Sequence, residues 1–158
     1  MRFGLAVAAV LLVADQITKW VILEVVMQPP RVIEVTPFFN LVMVWNRGVS
    51  FGLFAHEAET VRWVLTGVAL GITALMLAWL KRAERGFVAL ALGLVIGGAV
   101  GNVVDRLHLG AVADFLDFHL MGYHWPAFNI ADAGITVGVA LLIVDGLFGR
   151  RGAEQAVK

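Results

Sequence analysis

Asp114 and Asp132 are the residues of this chain whose types and setting could carry acid–base chemistry. Two carboxylates held close together in a low dielectric do not both ionise easily, so such a pair tends to share one proton. The ionised member can then take a proton from water while the protonated member polarises a carbonyl. That is the working arrangement of an aspartic hydrolase. Each acid taken alone has a plainer explanation. Asn129-Ile-Ala-Asp132 has the spacing of a helix N-cap with an acid at its third position, and Asp114 could be a loop acid in VADFLDF.

Other chemistries find less support. The chain has no cysteine, so thiolate nucleophiles, thiolate metal sites and disulfides are excluded. Ser50 is the sole serine, lies in no Gly-x-Ser-x-Gly elbow and has no evident base. His108, His119 and His124, taken with Asp114 and Asp117, match no zinc spacing. They read as surface histidines, and neither a metal nor another cofactor is expected.

The elements that must position these acids are apolar. Of the 158 residues 60% are hydrophobic and 15% charged, and mean hydropathy is +0.86, well outside the range of soluble domains. Lipid must cover much of such a chain. Net charge is zero, and nothing points to a nucleic-acid partner. Four segments reach the length of a membrane span, about 20 residues: 3–26, 61–80, 87–104 and 130–148. The first could also be read as a cleaved signal peptide, but no Ala-x-Ala site follows and apolar sequence resumes at Trp20. The expected fold is an all-α membrane protein, a four-transmembrane-helix bundle forming one integral domain over 1–158.

Lys and Arg set the orientation. Arg2, Lys81, Arg82, Arg85, Arg150, Arg151 and Lys158 all fall on one side of the spans, which places both termini in the cytoplasm. Segments 28–60 and 107–128 then lie outside. Pro29-Pro30 ends the first helix, and VIEVTPFFNLVMVW (32–45) reads as short strands, a small extracytoplasmic sheet resting on the lipid surface. The end of span three and the start of span four meet at this outer edge, so Asp114 and Asp132 converge there. Gly67/Gly71, Gly93/Gly97 and Gly97/Gly101 form small-residue faces suited to close helix packing, within the chain or between two chains. Trp20, Trp63, Trp79 and Trp125 fall near span ends like an aromatic belt. The tail after Arg150 is expected to be disordered.

Within span one, Asp15 and Lys19 share a helix face four residues apart, acid before base. Asp15-Gln-Ile-Thr-Lys19 is followed in order by Asn46-Arg-Gly48 with Phe51-Gly52, Gly97-Gly98 with Gly101-Asn102-Val-Val-Asp105-Arg106, Val112-Ala-Asp114-Phe115 and Phe128-Asn129-Ile-Ala-Asp132. This series resembles the lipoprotein signal peptidase (signal peptidase II) family. The resemblance implies a bacterial inner-membrane aspartic endopeptidase that removes signal peptides from prolipoproteins before a diacylglyceryl-modified cysteine. It also implies a short lid-like segment and a dyad of Asp114 and Asp132. Asn46, Gly48, Asn102, Arg106 and Asn129 would line the substrate groove, with Asp15 and Lys19 supporting it. The implied partners are lipidated prolipoproteins and membrane lipids, and a monomer is expected. Ala113 and Ala133 depart from the Val and Ser expected there in many relatives, which bears on packing rather than on activity.

Two other classes compete. Intramembrane Asp, Asn and Arg also build ion or proton paths in transporters. Here the acids gather at one face instead of forming a chain across the bilayer. A packing subunit without catalysis would leave the outer acids without a purpose.

Overall fold

The computed structural model describes residues 1–48 and 58–155. Among the described residues four helices are long and apolar enough to cross a membrane. Helix α1 (Arg2–Val21) continues through a π-helical turn, Ile22–Val26, and α2 spans Ala58–Arg82. Helix α3 covers Gly86–His108, and α4 covers Ile130–Gln155. The helix continuing to Gln155 corrects the expectation of a disordered tail after Arg150: nothing in Arg-Gly-Ala-Glu-Gln breaks a helix outright, and a single glycine costs only about 1 kcal/mol relative to alanine.

Helix α3 is the post around which the others stand. Within the protein 72% of its apolar stretch is buried, against 17–22% for the other three, whose outward faces are left for lipid. Small residues make this possible. A Cβ on Gly97 would stand 2.6 Å from Ala8 O of α1, and one on Gly98 would collide with Ala131 O of α4. From α4, Gly138 returns the contact against Ala91 of α3. The Gly67 and Gly71 pair of α2 behaves otherwise. Among the described residues nothing lies within 4 Å of a Cβ built at either, so these glycines do no packing against them.

The all-α expectation is too narrow, because a four-stranded antiparallel sheet caps one end of the bundle. Its strands β1 (Ile33–Thr36), β2 (Phe39–Asn46), β3 (Val112–Leu120) and β4 (Tyr123–His124) lie in that order. β1 and β2, the short strands expected from 32–45, pair antiparallel, and β2 pairs with β3 through Asn40↔Asp117 and Val44↔Asp114. Phe115 plugs the underside, packed with Ile22 and Met27 where α1 ends. Leu116 bridges to Phe128 and so ties β3 to the start of α4. Ser50, Phe51-Gly52 and Glu57 lie outside the described residues, as does any lid built from 49–57.

Candidate active site

Helices α1, α3 and α4 bring their polar residues to one end of the bundle, beneath the sheet. Two stripes on α3 do the sorting. Gly98, Asn102 and Arg106 recur every four residues and face α4, while Gly101 and Asp105 face α1. A single helix thus serves two neighbours with two sets of polar groups.

Asp132 lies in the first turn of α4, and the capping expected there is present in full. Asn129 Oδ1 accepts from Asp132 N at 2.9 Å, and Asp132 Oδ2 accepts from Asn129 N at 3.3 Å. This is a reciprocal capping box. It uses only one oxygen of Asp132. The other, Oδ1, accepts from Asn102 Nδ2 at 2.7 Å. Capping and a second role therefore coexist in one side chain.

Asp114 approaches from β3 and is 1% exposed. Its Oδ1 accepts from Asn129 Nδ2 at 2.7 Å, and its Oδ2 from Asn46 Nδ2 at 3.0 Å. Asn129, fully buried, thus contacts both aspartates. Asn46 is aimed by an Asx turn in which its Oδ1 accepts from Gly48 N at 2.9 Å. Gly48 adopts φ +79°, and a Cβ there would collide with Leu65, so glycine suits this turn twice over. Burial is the largest influence on Asp114 and pushes its pKa up to about 6. The Asn46 and Asn129 amides and the Lys19 charge pull the other way, while the Asp132 carboxylate adds to the rise. Arg106 donates to Asn102 O at 3.4 Å, and its charge acts on both aspartates without a direct ion pair among the described residues.

A strand's period of two sends Asp117 to the face opposite Asp114. There Asp117 Oδ2 accepts from Asn40 Nδ2 at 3.0 Å, and its Oδ1 lies 2.8 Å from His124 Nδ1. Burial opposes its ionisation, but His124 and Asn40 outweigh it and hold its pKa below the usual carboxylate value. His124 stacks on His119 with centroids 4.8 Å apart, away from Asp114.

Asp15 and Lys19 meet the rest from α1. Lys19 Nζ lies 2.8 Å from Asp15 Oδ2 and 2.7 Å from Asp105 Oδ2, with all three groups buried. Asp105 and Gln16 were not singled out as site residues from the sequence. Asp105 stands in the sequence only as a member of the Gly101–Arg106 motif, and its partner Lys19 lies far away along the chain, so no spacing rule could find it. The three asparagines expected in the substrate groove each donate to an aspartate.

The Signal peptidase (SPase) II family model matches residues 7–148. The chain belongs to the signal peptidase II family. A lipoprotein signal peptidase of Methylobacterium sp. (strain 4-46) is 47% identical over 98% of this chain and 94% of its own length. That of Burkholderia thailandensis is 44% identical over 95% and 90%. A bacterial membrane enzyme solved in meso at 1.9 Å superposes with a TM-score of 0.79 at 30% identity, covering 94% of both chains. Another, at 2.3 Å, gives 0.75 over 93% of this chain and 88% of that one. With membership in this family, the transporter and packing-subunit readings lose their footing.

Proposed function

We propose that this peptidase removes signal peptides from lipoprotein precursors by aspartic catalysis, with Asp114 and Asp132 as the dyad. One observation carries the assignment: buried Asn129 donates to both acids, its side-chain amide to Asp114 Oδ1 and its main-chain N–H to Asp132 Oδ2, although the two come from separate elements. In this mechanism a water attacks the scissile carbonyl and gives its proton to the ionised carboxylate. The protonated partner donates to the carbonyl oxygen, producing a tetrahedral diol. Collapse of the diol returns a proton to the leaving amine and restores the shared proton to the dyad. Arg106 adds positive charge beside the developing oxyanion. The diacylglyceryl group of the precursor fixes depth in the bilayer and brings the bond before the lipidated cysteine level with the dyad. Asn46, Gly48, Asn102 and Asn129 hold the acids and, through their remaining capacity, the substrate backbone. Asp15 and Lys19 support this arrangement from α1.

The test is cleavage by the purified chain. Lipidated precursor should release its signal peptide, and non-lipidated precursor should be cut far more slowly. Asp114→Asn and Asp132→Asn should each abolish release, and full activity in both folded variants would overturn the dyad.

The same reading places the enzyme in the bacterial inner membrane as a monomer, with both termini cytoplasmic and the dyad at the outer face. The cysteine-free chain makes orientation easy to probe. A cysteine at Arg82 should resist an impermeant thiol reagent in intact cells, and one at Met121, 93% exposed, should react. The reverse pattern would invert the topology and put the dyad on the wrong side.

A further inference from the structure

A charged cluster in the same end of the bundle touches neither water nor substrate in the steps above, yet it is tied to the main chain beside both acids. Lys19 Nζ spends its donors on Asp15 Oδ2 (2.8 Å), Asp105 Oδ2 (2.7 Å) and Asn102 Oδ1 (3.4 Å). Each of its carboxylate partners also accepts one main-chain amide. Asp15 Oδ1 takes Ala131 N at 2.9 Å, and Asp105 Oδ2 takes Ala113 N at 3.1 Å. Ala131 immediately precedes Asp132, and Ala113 immediately precedes Asp114. Gln16 Nε2 spans the same two carboxylates, 3.1 Å from Asp15 Oδ2 and 3.1 Å from Asp105 Oδ1.

We infer that Lys19 is a positioning residue for the reaction: through Asp15 and Asp105 it holds the amide just before each dyad aspartate, and so sets their separation. The inference rests on the dyad reading above and adds what fixes its geometry. Hydrogen bonds from an amide to an ionised carboxylate are the stronger kind, so each arm grips the backbone rather than a mobile side chain. The Leu116–Phe128 bridge pins β3 to the chain before α4, but it leaves the amides at 113 and 131 to these arms. Without the ammonium, Asp15 and Asp105 face one another as like charges and separate, carrying Ala131 and Ala113 with them. A misplacement of about 1 Å costs about 10²-fold in rate where reacting groups must meet in line.

The experiment uses the full chain in micelles, with kinetics normalised to the folded fraction from thermal melting. Lys19→Met should lower kcat at least about tenfold, with KM for lipidated precursor held within about twofold. A purely structural role does not predict the second readout. Asp114 faces Lys19 of α1, Arg106 of α3, Asp132 of α4, Asn129 before α4, and Asn46 of β2. Removing the ammonium that favours its ionised form should move the limb of kcat/KM against pH set by Asp114 to higher pH. Wild-type kcat in folded Lys19→Met overturns the inference, as does a loss that follows the folded fraction with that limb unmoved. Where Lys19→Met fails to fold, Asp105→Asn replaces it, and wild-type kcat there is equally decisive. Asp114→Asn runs alongside. If it is inactive while Lys19→Met is fully active, positioning alone falls; if it is active, the dyad falls and takes the inference with it.

Discussion

Asp15 and Asp105 on one side of Asn102, and Asp114 and Asp132 on the other, are both carboxylate pairs gathered from distant elements around a shared residue. For the first pair the shared group is an ammonium, Lys19, with Gln16 beside it. For the second it is Asn129, whose side-chain amide donates to Asp114 and whose main-chain N–H donates to Asp132, with Asn46 and Asn102 as further amides. The consequences differ in kind. A cation within contact distance of both carboxylates draws the two together. Amides satisfy the oxygens without neutralising them, so burial and mutual repulsion are left to act on the protons. The raised pKa of Asp114 is the visible result. Two pairs built from the same residue type, within one end of one bundle, are set to different tasks by what stands between them.

Exchanging the character of the pairs is the largest test. Asp114→Asn or Asp132→Asn should lower cleavage by at least about 10²-fold, and the double variant should be no worse than either alone, because the pair acts as a unit. Each Asn sets an N–H against an amide donor that the carboxylate accepted, so melting temperature should fall by the scale of one unsatisfied buried hydrogen bond, about 1–3 kcal/mol. Asp15→Leu should do the reverse in its first effect, since it strips Lys19 of one partner and Ala131 N of its acceptor. A cost of about 3 kcal/mol is the expected scale for breaking a buried pair, read as a fall in melting temperature. Asp117→Asn is the control, with activity within about twofold of wild type. If Asp117→Asn were inactive and Asp114→Asn active, the dyad would be misplaced along β3.

Acidity sharpens the contrast next. In the proposed aspartic mechanism the singly protonated dyad is the active form, so kcat/KM should decline as pH rises through about 6, approaching tenfold per unit. Substrate covering the acids removes water and raises the titration further, so the corresponding limb of kcat should lie at higher pH. Stability follows the same sign. Asp114 titrates above its unfolded value, so its favourable contribution is complete below about 3.8 and is lost as pH rises through about 6. Asp117 titrates below its unfolded value, and its contribution is present above that value and lost as pH falls. Melting temperature against pH should lose the first dependence in Asp114→Asn and the second in Asp117→Asn.

The two pairs were also unequally legible in the sequence. The helices were open to reading, because long apolar runs have few alternatives, and the strands of 32–45 declared themselves through β-branched and aromatic residues between prolines and glycines. The capping box of Asn129 and Asp132 follows from local spacing, and so does the Asp15–Lys19 pair one helical turn apart. Asp114 and Asp132 came from the family resemblance, helped by the convergence of two spans at one edge. What stayed hidden depends on tertiary approach. Asp105 reaches Lys19 from another helix, and Asp15 accepts an amide 116 residues away. No local pattern encodes a side chain bonding to main chain across the bundle. The glycines show the same limit: Gly97 and Gly67 sit in identical motifs, yet only the first faces another helix, because α3 is central and α2 peripheral.

The smallest expected effect comes from making one substitution in both settings. A Cβ on Gly101 would stand 2.6 Å from Asp15 Oδ2 and 3.4 Å from Ala131 Cβ, while one on Gly67 would meet nothing within 4 Å among the described residues. Alanine gains about 1 kcal/mol of helix propensity over glycine in either place. At Gly67 nothing offsets that gain, so Gly67→Ala should melt at or slightly above wild type. At Gly101 the methyl must push the Asp15 carboxylate, which is held by Lys19 on one oxygen and by Ala131 N on the other. Overpacking of this kind costs about 1–3 kcal/mol, so Gly101→Ala should melt a few degrees below wild type, at about 2–4 °C per kcal/mol for a chain of this size. Cleavage should fall only a few-fold, since the dyad is touched through its support alone. Equal melting of the two variants would mean that Asp15 yields freely, and the ammonium-bridged pair would then lack the rigidity that separates it from the dyad.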